Sequence, residues 1–100
     1  MGSSMKINID DIQKITSLLL SKLKDSKGNE IEISNEYYWD ISESELYSPY
    51  DEPKNITLGQ LSYDLEEVQR LVKSDDAIIY DLKRVSQILK VLSIENSTAF

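Results

Sequence analysis

The stretch Thr57-Leu58-Gly59-Gln60-Leu61-Ser62-Tyr63-Asp64-Leu65-Glu66-Glu67-Val68-Gln69-Arg70-Leu71-Val72-Lys73 decides the fold class. Leu58, Leu61, Leu65, Val68 and Val72 (or Leu71) recur at three- and four-residue spacing, which gathers apolar side chains on one face of an α-helix. Thr57 followed by Gln60 has the form of a capping box, in which the two side chains satisfy free N–H groups of the first turn. Glu66 and Arg70 stand four apart in the order that stabilises a helix. The spacing predicts a helix from Thr57 to about Lys73. Ser74-Asp75-Asp76 breaks it and caps a second run, Ile78, Leu82, Val85, Leu89 and Leu92, ending near Ile94. So short a break makes the two helices antiparallel neighbours.

Toward the N-terminus a further helix is expected. Asn8 can cap it, and Asp10 and Asp11 occupy the first turn, where the helix dipole favours negative charge. Ile9, Ile12, Ile15 (or Thr16), Leu19 and Leu23 form its stripe, with Lys22 and Lys24 near its end. Gly28 suits the positive φ that follows a helix. Between the first two helices, Glu30-Ile31-Glu32-Ile33-Ser34 and Tyr37-Tyr38-Trp39-Asp40-Ile41 alternate in polarity, and Asn35-Glu36 can join them as a hairpin. Its buried face would be Ile31, Ile33, Trp39 and Ile41, with Tyr37 on the same side and Tyr38 and Asp40 turned out. A lone hairpin is marginal and must pack on the helices. Ser42-Glu43-Ser44-Glu45 resembles a capping box and is expected to start one short helical turn, and Pro49 and Pro53 enforce irregular structure through Asn55. The fold class is therefore mainly α: a three-helix bundle with a small β-hairpin and an irregular acidic loop inserted between helices 1 and 2. Residues 1–4 read as a vector-derived start, 5–96 as a single helical domain and 97–100 as a frayed tail.

Composition narrows the chemistry. The chain has no His and no Cys. That removes the usual nucleophile–base systems, the usual zinc sites and disulfides. Of three Gly, one lies in the leading segment, so a glycine-rich phosphate loop is missing. A carboxylate pair among Asp40, Glu43, Glu45, Asp51 and Glu52 remains conceivable for glycoside hydrolysis, but a chain this short seldom supplies the cleft. Asp40 to Glu45 alternates oxygen ligands but lacks the Gly and the Glu that a calcium loop requires. Neither an enzyme nor a cofactor is expected. The absence of Cys, of a visible signal peptide and of a long apolar run points to a cytoplasmic protein.

Charge gives the sharpest clue. The window Gly28 to Pro53 carries eight acids (Glu30, Glu32, Glu36, Asp40, Glu43, Glu45, Asp51, Glu52) and no Lys or Arg. With 18 acids and 11 bases in all, the rest is close to neutral, and the net charge of −7 belongs to that window. Exposed surfaces ordinarily mix both signs. The window also holds the only Trp and four of the six Tyr. Such a charge repels nucleic acid and anionic lipid and attracts a basic partner. The partner-binding residues are expected to be Tyr38, Asp40, Glu43, Glu45, Tyr47, Tyr50, Asp51 and Glu52, with Tyr side chains as anchors. A solvated acidic face pinned by aromatic packing is the plainer alternative.

Tyr37-Tyr38-Trp39-Asp40-Ile41, then Glu45-Leu46-Tyr47, Glu52-Pro53 and Leu58-Gly59-Gln60-Leu61-Ser62-Tyr63-Asp64 resemble a family of small acidic bacterial proteins of uncharacterised activity. The resemblance covers about Ile31 to Leu71. It implies an immunity protein of a contact-dependent inhibition or polymorphic toxin system, with a basic toxin domain, a nuclease by expectation, as partner. It brings no catalytic residues with it. An oligomeric structural or adaptor protein is the alternative of another class.

Overall fold

The computed structural model describes residues 4–41, 52 and 56–100. Helix α1 spans Ile9–Lys27, strand β1 Tyr37–Ile41, strand β2 Ile56–Gln60, helix α2 Leu61–Gln69 and helix α3 Tyr80–Glu95, with a 3₁₀ turn at Arg70–Val72 after α2. Three helices and a two-stranded antiparallel sheet make a small, mainly helical chain. It divides into two compact units, one of Met1–Glu32 with Asn96–Phe100 and one of Ile33–Glu95. Among the described residues no helix is long and apolar enough to cross a membrane. The expected turn at Ser42–Glu45 and the segment held by Pro49 and Pro53 lie outside the described residues.

In the first unit, α1 begins and ends where its sequence says. The Asn8 side chain accepts the Asp11 N–H at 3.0 Å. Gly28, at φ 89°, closes the far end by donating its N–H to the Lys24 carbonyl. Thr16 and Leu23 are half-buried, and Ile9, Ile12, Ile15 and Leu19 are exposed. The C-terminal residues turn at Asn96–Thr98, and the Ala99 carbonyl accepts the Ser26 hydroxyl at 2.8 Å.

The second unit corrects the expected strand pairing. Residues 30–34 form no strand; β1 pairs instead with β2, with Trp39 opposite Leu58 and Tyr38 opposite Gly59. The expected helical start at Thr57-Leu58-Gly59-Gln60 is therefore β-strand. β-Branched Ile56 and Thr57 suit an extended chain, and Gly59 weakens a helix while offering a strand a flat seat for a ring. Helix α2 starts only at Leu61, whose N–H continues the ladder to the Glu36 carbonyl. Gln60 makes no side-chain cap. Its amide and the Ser62 hydroxyl donate to the Glu36 carboxylate at 2.8 and 2.6 Å. That brings a negative group to the helix N-terminus, where the dipole favours it.

Helix α2 keeps Leu61, Val68 and Leu71 of the expected stripe inward, while α3 turns one residue away from its own. Leu61 and Val91 are the buried apolar residues among those described, and the buried polar ones are Asp64 and Asp81. The inner face of α2 runs Leu61, Asp64, Val68 and Leu71. That of α3 runs Asp81, Arg84, Ile88 and Val91. Leu65, Val72, Leu82 and Val85, expected inside, are exposed. Ion pairing explains the rotation. Asp81, only 4% exposed, accepts Arg70 Nη2 at 2.6 Å, Arg84 Nη1 at 2.8 Å and the Ile78 N–H at 2.9 Å. Arg70 also meets Asp76 at 3.3 Å and donates to the Glu67 carbonyl. Asp76 is thus tied to Arg70 instead of capping α3, and the helix starts at Tyr80.

The Arg70 hydrogen bond, followed by the Ile78 N–H, holds the Asp81 carboxyl well below its usual range. A depressed carboxyl adds stability that is complete above its unfolded value, roughly pH 4, and is lost as pH falls toward the folded value. Urea unfolding of the wild type should therefore weaken steeply below about pH 4. Asp81→Asn should be less stable than wild type at neutral pH and flatter below it. Parallel pH profiles for the two would contradict this role of Asp81.

Candidate functional site

Alternation along β1 separates two sets of side chains, and the register assigns each a side. Tyr38 and Asp40, with Gly59 and Thr57 opposite them, turn toward the helices. The Tyr38 hydroxyl donates to Asp64 Oδ2 on α2, and Lys83 Nζ on α3 meets Asp40 Oδ2 at 2.8 Å. Burial first, and then the Asp64 carboxylate, push the Tyr38 phenol well above its ordinary range. The phenol therefore stays protonated and acts as a donor. Its ring lies across Gly59, where any Cβ would collide with it. Arg84, beside this pair, stacks on the Tyr80 ring with its guanidinium carbon 4.7 Å from the centroid.

The other face carries Tyr37, Trp39 and Ile41, with Gln60, Leu58 and Ile56 opposite them. Trp39 is 71% exposed, and Leu58, directly across from it, 57%. Tyr37 and Ile56 are exposed as well. A cleft of about 400 Å³ runs beside this strand. Asn35, Tyr37, Tyr38 and Trp39 line one side, and Gln87, Lys90, Val91 and Ile94 of α3 line the other. The chain before β1 is anchored there: the Glu95 carboxylate accepts the Ser34 and Asn35 N–H groups at 2.9 and 2.8 Å. Those two bonds hold the Glu95 carboxyl below its ordinary range.

The structure reverses the expected facing of β1. Trp39 and Tyr37, expected in the core, are out. Tyr38 and Asp40, expected to meet a partner, are turned in and bonded to Asp64 and Lys83. Ile31, Ile33 and Ile41 are half-buried. Glu52 is exposed as expected. Glu43, Glu45, Tyr47, Tyr50 and Asp51 lie outside the described residues. Tyr37, Trp39 and Leu58 are the surface residues that the sequence reading assigned to the interior. The signal that would have found them is Gly59. A glycine in a β-branched run marks the position where a facing aromatic lies down, and Tyr38 is the aromatic in register.

Among the described residues, no group of three or more carboxylates converges as a metal site. Asp40, Asp64 and Asp81, the inward carboxylates of the second unit, are each bonded to a donor side chain. That arrangement holds structure and leaves none of the three free as a general base. No protein-family model, curated protein or solved structure matches the chain.

Gly59→Ala should destabilise the protein by about 1–3 kcal/mol, because overpacking displaces the Tyr38 ring. In a Tyr38→Ala background most of that cost should vanish, which a double-mutant cycle in urea would read directly. Tyr38→Phe alone should cost about 1–3 kcal/mol, since it leaves the buried Asp64 carboxylate without that donor.

Proposed function

We propose that this chain is a non-enzymatic, cytoplasmic immunity protein that binds and neutralises a basic toxin domain, a nuclease being the best fit to its charge. The observation that carries the reading is the outer face of the sheet. Tyr37, Trp39, Leu58 and Ile56 are apolar, adjacent and exposed, although the unit's own interior is filled in part by ion pairs. Exposed aromatic and aliphatic residues gathered on one face mark interaction surfaces. Tyr and Trp are the side chains enriched in such surfaces.

Charge supports the class of partner. The window around β1 contains eight acids and no base, and Glu30, Glu32 and Glu52 are exposed. Carboxylates occupying the places of nucleic-acid phosphates would pair with a toxin's Lys and Arg. They would also steer association, with on-rates raised about 10–10³-fold at low salt. The contact set follows the facing of β1: Tyr37, Trp39 and Leu58 as anchors, with Glu43, Glu45, Asp51 and Glu52 supplying charge and Tyr47 and Tyr50 further contact. Tyr38 and Asp40 support the surface from within.

The test is co-expression with the basic C-terminal domain encoded by the neighbouring upstream reading frame. Cells should survive only with the intact chain. Association measured on purified proteins should slow as salt rises. Simultaneous reversal of Glu43, Glu45, Asp51 and Glu52 should reduce the on-rate at low salt by about tenfold or more while leaving the unfolding transition in place. Full protection by that variant would reject the acidic site.

One observation favours a second reading, an oligomeric structural or adaptor protein. Ile12, Ile15 and Leu19 on α1 form an apolar row, each about half exposed. Sedimentation separates the readings, since a monomer at micromolar concentration disfavours the oligomer.

A further inference from the structure

Among the described residues, β1 is paired along one edge only. The Leu61 N–H bonds to the Glu36 carbonyl, so Glu36 and Leu61 form a hydrogen-bonded pair. Antiparallel ladders alternate, which makes Tyr38–Gly59 and Asp40–Thr57 the next hydrogen-bonded pairs. The N–H and C=O groups of Tyr37, Trp39 and Ile41 therefore point away from β2. The sheet has two strands, and among the described residues no third strand covers this edge.

A cleft lies between β1 and α3, lined by Tyr37, Tyr38 and Trp39 on the strand and by Val91 and Ile94 on the helix, and no residue of β2 lines it. Open backbone groups at alternate residues, on a strand beside an apolar trough, suit an extended chain. A partner helix has no backbone groups to offer such an edge.

We propose that β1 is a strand-addition site: an extended, basic segment of a partner protein pairs with the outer edge at Tyr37, Trp39 and Ile41. This inference rests on the reading of the chain as a binder of a basic protein. Alternate side chains of the added strand would face α3, where Val91 and Ile94 favour apolar residues and Lys90 disfavours Lys or Arg. The other set would lie beside Trp39 and Tyr37, whose ring faces attract guanidinium groups. Charge argues against a second copy as occupant. Each copy carries −7, and the sequence leaving β1 at Ile41 contains Glu43, Glu45, Asp51 and Glu52 against the single base Lys54.

The test uses the full chain and an alternating Arg–Val peptide of about nine residues. Nine residues more than span a five-residue strand at about 3.4 Å per residue. Amide hydrogen exchange by NMR should gain protection at Tyr37, Trp39 and Ile41 on peptide addition, with little change at Tyr38 and Asp40, which the ladder already protects. Methylating alternate backbone nitrogens of the peptide should abolish the effect. Trp39→Pro removes an outward donor and spares the ladder, so it should weaken binding about tenfold more than Trp39→Ala does. Should the proline variant not fold, the methylated peptide still decides. Peptide binding indifferent to methylation would overturn strand addition and leave the basic-partner reading standing. Equal binding of a Glu–Val peptide would overturn the basic-partner reading itself. Protection that appears without peptide and grows with protein concentration would assign the edge to a second copy and overturn the proposal.

Discussion

Tyr38 lies flat across Gly59 and donates a hydrogen bond from its phenol to Asp64, and the outward face of the sheet follows from that contact. Side chains on a strand alternate with a period of two, so a slip of one residue would exchange the faces. Residues 42–55 connect β1 to β2, and a connection of that length does not fix register as a two-residue turn would. Register must then come from side chains. Tyr38 needs the one position opposite it that has no Cβ, and it needs an acceptor above it on α2. The ladder bond from Leu61 to Glu36 extends the same register into the first residue of α2. With Tyr38 turned in, Trp39 and Tyr37 can only be out.

The same unit resolves a competition between aliphatic burial and charge pairing in favour of the charges. Asp81 sits between Arg70 and Arg84, and Asp40 meets Lys83. Buried pairs of this kind return little net stability compared with aliphatic packing, because both partners are desolvated. Their strength is geometric. Arg70 reaches Asp81 and Asp76 together and so pins the end of α2 to the start of α3. The consequence appears on the surface, where Leu82 and Val85 of α3 stand exposed, one helical position from the inner face.

The sequence made the start of α1 and its closing Gly28 legible, because they depend on local chemistry: a capping Asn8, acids in the first turn and a glycine at positive φ, although Asp25-Ser26-Lys27, expected as turn, continue the helix. The existence of α2 and α3, and of a strand at Tyr37–Ile41, was legible for the same reason. The strand's partner was not. Glu30–Ser34 and Ile56–Gln60 both offer alternating apolar residues, and the choice rests on a nonlocal fit between Tyr38 and Gly59. Thr57 and Gln60 match a capping box by spacing alone, while the strand that uses them is fixed from Tyr37–Ile41. On α2 Leu61, Val68 and Leu71 were legible and Asp64 was not, and the inner face of α3 was missed by one residue because hydrophobic spacing carries no information about Arg70 finding Asp81. The site suffered both errors: its residues were located on the right strand and given the wrong face.

That reversal changes how a binding surface here would divide its work. Inward Asp40 is committed to Lys83 and Glu36 to Gln60 and Ser62, so these acids contribute field more than contact. Fields of this range speed encounter and fade with salt. Lasting contact has to come from groups that desolvate well and lose little entropy, and the outer face offers Trp39, Tyr37 and the rigid backbone edge between them. Backbone pairing is indifferent to a partner's sequence, so discrimination would fall to the alternate side chains that meet Val91, Ile94 and Lys90 on one side and the two aromatics on the other. Acids that would recruit a partner and an edge that would retain it are separable properties, carried by different groups of the chain.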